Sequence, residues 1–193
     1  MQLLRGLRTD YTSAGASLHI DPIMLTGLSF LFVGAVLSLN GIWMLGRIGD
    51  REIAVINIIT AAITVAVACA LAFGADANLA SVKAAALTLL FSTTYIWVAA
   101  NRIFGFDGRG LGWFSLFVAI TVTPVAAQTW AVATTPFAHW IALCWAAWAV
   151  LWLLYFLLLA LGRPIQRATA WFTLFCGIAT AWAPGWLLLN GWS

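Results

Sequence analysis

The side chains with the most usable chemistry in this sequence are neutral: indoles, amides and hydroxyls set at helical spacing. Trp145, Trp148 and Trp152 fall within an arc of about 60° when each residue advances by about 100°. Trp140 lies well off that arc. Thr26, Val33, Leu37 and Asn40 form a similar face in an earlier apolar stretch, and Thr88, Phe91 and Tyr95 form another. Asn40, Asn57, Asn101 and Gln128 add amide groups that can hydrogen-bond a polar solute or join one helix to the next, where such bonds contribute about 0.6–2 kcal/mol. Three indoles on one face serve either helix packing or a pore lining, and spacing alone leaves both open. As a lining, ring faces with sparse hydrogen-bonding groups would suit small, flat, uncharged polar molecules and would reject ions.

Some chemistry is missing. No Asp, Glu, Lys or Arg falls in the interior of any long apolar stretch. Ion-coupled transporters and pumps place such groups there despite a cost of about 2.5–3.5 kcal/mol at mid-span. No constellation of His, Cys and Asp has catalytic or metal-ligand spacing, so neither an enzyme nor a metal or other cofactor is expected. Cys69, Cys144 and Cys176 all lie in apolar stretches and read as small apolar fillers. What remains is passive movement of a neutral solute, or no transport at all.

The elements that must position these faces are membrane helices. Of 193 residues, 64% are hydrophobic and 8% charged, against about 45–50% and about 25% in soluble domains. Apolar spans run over about 23–45, 53–73, 84–103, 111–131, 137–161 and 169–190, each near the ~20 residues that cross a bilayer. The expected fold is an all-α integral membrane bundle of six helices built as three antiparallel hairpins. Residues 1–22 form an N-terminal tail expected to be flexible, and 23–193 form the membrane domain. Met24 opens the first span directly and is an alternative start.

Arg47, Arg51, Arg102, Arg109, Arg163 and Arg167 flank loops 1, 3 and 5, whereas Lys83, Arg5 and Arg8 lie on the other side. The positive-inside rule therefore puts the odd loops in the cytoplasm and both termini outside. Trp43, Trp113, Trp130, Trp140, Trp171 and Trp192 fit an interfacial aromatic belt. Trp113-Phe114-Ser115-Leu116-Phe117 recurs as Trp171-Phe172-Thr173-Leu174-Phe175, each opening an even-numbered span with a later proline, Pro124 or Pro184. This suggests related hairpins packed around one another.

From residue 24 onward the sequence resembles the AmiS/UreI family of urea and short-chain amide channels. The resemblance is carried by Val33-Gly34 through Asn40-Gly41, by Phe91, Thr94-Tyr95 and Ala100-Asn101, and by Phe104-Gly105-Phe106-Asp107. It continues through Trp113 to Ile120 with Pro124, Trp145, Trp148, Val150-Leu151-Trp152, and Thr180 to Leu188. It implies a hexameric ring with one pore per protomer in a bacterial cytoplasmic membrane. It also implies constrictions at Phe91, Tyr95, Trp148, Leu151 and Trp152. With the helical faces above, the candidate lining is these residues plus Val33, Leu37, Asn40, Trp145, Cys176 and Thr180. Some family members carry a glutamate where Cys176 stands, so no role for that carboxylate carries over.

Conduction would be passive, drawn by a cytoplasmic urease or amidase. Acid-gated members have a longer, histidine-bearing outer loop. Here the candidate acid sensor is His139, since histidine has an unperturbed pKa near 6.5. Its isolation favours opening irrespective of pH. The rivals are a facilitator for water, ammonia or glycerol, and a membrane scaffold that moves no solute.

Overall fold

A computed structural model describes residues 21–192, so the reading of the tail falls almost wholly outside the described residues. Six helices are long and apolar enough to cross a membrane: α1 (Pro22–Met44), α2 (Ile53–Phe73), α3 (Leu79–Phe104), α4 (Arg109–Val132), α5 (Pro136–Ala160) and α6 (Gln166–Leu189). Their boundaries have local causes. Asp21 accepts from the Ile23 N–H at 2.8 Å with Pro22 in the first turn, and Thr135 accepts from Ala138 with Pro136 next to it. These are N-terminal caps joined to a residue whose missing N–H costs nothing there.

Helix α3 starts five residues before the span read from hydropathy. Asn78 and Ser81 close a reciprocal capping box at its start, and Lys83 is therefore helical, not a loop residue. Its ammonium donates to Gln128 of α4 at 3.0 Å. At its other end α3 stops at Gly105, whose φ of 72° is a left-handed conformation that glycine adopts without steric cost.

The bundle buries its polar side chains together with an apolar core and leaves large apolar groups on its outer surface. Asn57, Thr60, Thr64, Thr169 and Thr173 are fully buried, whereas Ile120 is 66% and Phe117 59% exposed. In hydrocarbon the polar side chains must turn inward to find partners, and the aliphatic ones lose nothing by facing lipid. Asn40 and Asn57 exchange two amide hydrogen bonds, at 3.2 and 2.8 Å, between α1 and α2. Ser92 of α3 donates to Thr64 of α2 at 2.7 Å. Of the cysteines, Cys144 and Cys176 are buried, but Cys69 faces outward.

The closest packing joins α2 to α3, α4 to α5, and α1 to α6, while α3 and α4 touch little and α5 meets α6 mainly along its Cys176–Trp182 stretch. A short loop thus fixes the antiparallel sense without forcing contact along the whole length. The α1–α6 seam is set by small residues. A Cβ on Gly34 would stand 2.5 Å from the Trp182 backbone nitrogen, and one on Gly177 would stand 2.5 Å from Ser38 Oγ. The helices approach until backbone meets backbone, a contact that only glycine permits.

The internal repetition is visible in burial. Asn57, Ser115 and Thr173 lie 58 residues apart and are all buried on α2, α4 and α6. Trp113 and Trp171 face outward in both copies of the aromatic segment, as do Phe117 and Phe175. The odd helices follow the same spacing, one residue short in the last step. Val33, Phe91 and Trp148 form one layer, Leu37, Tyr95 and Trp152 the next, and Asn40, Val98 and Tyr155 a third. Helices α1, α3 and α5 supply most of the side chains around the axis, with Thr64 of α2 and Leu111 and Ser115 of α4 between them.

Helix α6 is locally underwound from Cys176 to Trp182 into a π-turn. Pro184 follows directly, and it has no N–H for the carbonyl four residues back and clashes with it. The Ala183 N–H bonds Ile178 O, five residues earlier. That frees Ala179 O to accept from Trp140 Nε1 at 3.1 Å. Trp140 is thus a brace between α5 and α6 and not simply a member of an interfacial belt.

Candidate functional site

The three layers enclose a line of voids along the axis. The first is lined by Ser29, Phe30 and Val33 of α1, Thr64 of α2, Thr88 and Phe91 of α3 and Trp148 of α5, and holds about 30 Å³. The second, also about 30 Å³, is lined by Leu37, Asn40, Phe91, Thr94, Tyr95, Val98, Leu111, Ser115, Trp148, Leu151, Trp152 and Tyr155. The third is a vestibule of about 510 Å³ that opens at the arginine-rich end among Trp43, Met44, Asp50, Asn101, Arg102, Asp107 and Gln166. Phe91 and Trp148 separate the first from the second. Val98, Leu111 and Tyr155 separate the second from the third. At about 10–15 Å³ of such space per water molecule, each narrow void has room for only two or three waters.

The first partition is an aromatic collar. The Phe91 ring meets Trp148 edge-on at 5.0 Å and Trp152 at 4.6 Å, and Phe30 closes on Trp148 at 5.4 Å. Edge-to-face pairs of this kind contribute about 0.5–1.5 kcal/mol each beyond their burial. Trp148 is 1% exposed, and its indole N–H donates to Thr180 Oγ1 at 2.8 Å. Thr180 in turn donates to Cys176 O at 2.6 Å. The donor of Trp148 is therefore spent on holding the ring, which presents only its apolar surface to the voids.

The residues singled out from the sequence divide accordingly. Val33 lines the first void. Leu37, Asn40, Tyr95, Leu151 and Trp152 line the second, and Phe91 and Trp148 line both. Trp145, Cys176 and Thr180 line none of the three. Trp145 packs edge-on against Trp148 at 5.0 Å and Phe91 at 6.2 Å, while Cys176 and Thr180 stand behind Trp148. Asn40 reaches the second void but gives its amide to Asn57. His139 is remote from all three voids: its ring lies against Trp130 at 4.8 Å and Nδ1 is 2.8 Å from Thr135 O.

Ser29, Phe30, Val98, Leu111, Ser115 and Tyr155 were not singled out by sequence reasoning. The repeat could have found two of them, because Val98 and Tyr155 occupy the register of Asn40.

Among the described residues that line the voids, charged ones occur at the vestibule mouth. Asp50 accepts from Trp43 Nε1 at 2.8 Å and stands 4.0 Å from the Arg102 guanidinium, which lies 5.2 Å over the Trp43 ring. Asp107 takes the Arg109 backbone N–H at 2.9 Å and its guanidinium at 2.7 Å. That backbone bond, with the side-chain bond next, holds the Asp107 carboxyl below the usual carboxylate range. Among the described residues no three His, Cys, Asp or Glu side chains gather in a way that could hold a metal ion.

The sequence profile of the AmiS/UreI family transporters matches residues 25–192. The chain belongs to that family. Its relatives include a transporter protein named AmiS2 from Rhodococcus erythropolis, 35% identical over 85% of this chain and 79% of the relative. The acid-activated urea channel of Helicobacter pylori is 34% identical over 84% of this chain and 96% of the channel. The cryoEM structure of the Helicobacter pylori urea channel in its closed state covers 86% of this chain and 99% of that one, with a TM-score of 0.76. The axial line of voids thus lies in a six-helix AmiS/UreI bundle of the same fold as a solved urea channel.

Proposed function

We propose that this AmiS/UreI protein is a passive channel for urea and short-chain aliphatic amides, and that the solute follows the axial voids. The observation that carries the reading is the character of the lane. It is walled by rings, aliphatic groups and mostly satisfied hydroxyls, with no Asp, Glu, Lys, Arg or His between its first void and the vestibule mouth. Such a wall offers an ion nothing to replace its hydration and offers a coupling proton no carboxylate. A flat neutral amide can slide along ring faces and exchange a few hydrogen bonds. Val33, Leu37, Asn40, Phe91, Tyr95, Trp148, Leu151 and Trp152 are its walls, and Trp145, Cys176 and Thr180 fix the rings.

The narrow voids are too small for an amide at rest, so the Phe91–Trp148–Trp152 collar must swing during passage. The vestibule faces the cytoplasm in this reading, as the loop arginines support, and delivers solute to a urease or amidase. A homo-hexamer in a bacterial cytoplasmic membrane completes it. The outward groove of α2 and α3, floored by Ala61, Ala62, Ala99 and Ala100 and edged by Ile58, Ile96, Ile103 and Phe104, offers an apolar recess into which a neighbouring protomer can pack. Opening is independent of pH, because His139 lines none of the voids.

The test is stopped-flow light scattering on proteoliposomes challenged with urea, acetamide and glycerol at neutral and acid pH. Urea or acetamide should move well above the bare-lipid rate, with glycerol excluded, equal rates at both pH values and an altered rate in Trp152→Ala. Vesicles that pass none of the three faster than bare lipid would refute the channel.

A further inference from the structure

Most buried polar side chains of the bundle have a partner. The Thr64, Ser92, Ser115, Thr169, Thr173 and Thr180 hydroxyls all return to a helix carbonyl four residues back. The Tyr155 hydroxyl reaches Thr173 at 3.1 Å, and the Asn40 and Asn57 amides hold each other. Among the described residues, three buried side-chain atoms are left without any: Ser29 Oγ, Tyr95 OH and Asn101 Oδ1. Their residues are 6%, 2% and 3% exposed. Native structures leave few such atoms, and each one calls for an explanation.

Their placement supplies one. Ser29 lines the first void, Tyr95 the second and Asn101 the vestibule. Each compartment of the lane has one unpartnered buried polar atom. Ser29 is the most telling, since it sits in mid-helix where the other buried serines bond the preceding turn.

From this we infer that Ser29, Tyr95 and Asn101 are three successive docking stations for the carboxamide group of the solute, one on each side of the collar and one at the vestibule. The inference rests on the channel reading above. An amide carries N–H donors and a carbonyl acceptor. The Ser29 and Tyr95 hydroxyls can serve either end, and the Asn101 carbonyl accepts an N–H. Several weak sites in series let a solute enter without being trapped, which is the condition for conduction. The stations also give selectivity without charge: a solute with no hydrogen-bond donor cannot satisfy Asn101 and leaves its acceptor unpaired.

The experiment compares Ser29→Ala, Tyr95→Phe and Asn101→Leu with the unchanged protein in proteoliposomes. Acetamide, urea and water permeabilities are measured on the same vesicles, together with the acetamide concentration that half-saturates flux. Loss of one neutral hydrogen bond should lower amide permeability about three- to tenfold. It should also raise the half-saturating concentration and leave water permeability within twofold. Ser29→Ala and Tyr95→Phe each remove a single oxygen, and a melting temperature and gel-filtration profile matching the unchanged protein confirm an assembled bundle.

If all three variants keep the amide-to-water ratio and half-saturation of the unchanged protein, the stations are wrong and the channel reading stands. If the unchanged protein conducts no amide, the channel reading falls and takes the stations with it.

Discussion

The two ends of the lane are built on opposite principles. On one side of the Tyr155 partition lie two voids of about 30 Å³ each, pressed by indoles and phenyl rings. On the other lies a vestibule of about 510 Å³ with an ion pair, a cation over an indole and a free carboxamide. In the narrow half most polar atoms are spent on structure: the Trp148 N–H on Thr180, the Asn40 amide on Asn57, the Ser115 hydroxyl on its own helix. In the wide half, water does that work. Resistance to passage, and hence selectivity, must therefore concentrate at the collar, and the vestibule should tolerate change.

The largest effect should come from breaking the collar. Phe91→Ala removes the ring that meets both Trp148 and Trp152, and glycerol should then permeate at least tenfold faster, read by the same light-scattering assay. Unchanged exclusion of glycerol would move the filter elsewhere.

Next in size is the scaffold behind the narrow half. Asn57→Leu leaves the buried Asn40 amide without its partner, a penalty of about 1–3 kcal/mol. The detergent-solubilised protein should melt at a lower temperature, and Asn40→Leu/Asn57→Leu together should recover part of the loss. A double variant no better than the single would argue against the pair as a unit.

A smaller effect is expected at the mouth. Arg102→Gln removes the ion pair and the cation over Trp43, yet amide flux should change less than twofold, because a neutral solute in a wide space gains little from either.

Smallest of all is the contribution of the Asp107–Arg109 contact. The Asp107 carboxyl is held below its ordinary range in the folded protein, so its contribution is present above the unfolded value of about 3.9 and is lost as pH falls through the folded one. The stability difference between the unchanged protein and Asp107→Asn should therefore be constant from pH 8 to 5 and vanish only in stronger acid. A difference that changes between pH 7 and 6 would point to another group.

The six spans were legible because hydropathy needs no tertiary information. The Phe91, Tyr95, Trp148 and Trp152 faces were legible because helical spacing places them. The start of α3 was misread because Lys83 interrupts the apolar run, although Asn78 with Ser81 three residues later is a readable cap. Trp145 shares the arc of Trp148 and Trp152 but falls behind the lining, since an arc of about 60° is wider than the lane.

Asn40 and Asn101 show the deeper limit. Both are single asparagines toward the same end of parallel helices, and nothing in the sequence says that one finds Asn57 while the other finds no partner. Pairing is a property of distances between helices. The partner of the α1 glycines was hidden for the same reason, because a small-residue stripe announces a close neighbour without naming it.

That seam bears on how the protein is made. Ribosomal synthesis delivers α1 to the membrane first and α6 last, so the surface carrying Gly34 and Gly41 waits through four further insertions before its counterpart arrives. Until then the α1 surface that α6 will cover stays without its neighbour. A chain released before α6 carries the collar rings of α1, α3 and α5 but not Thr180, the residue that holds the Trp148 indole in place.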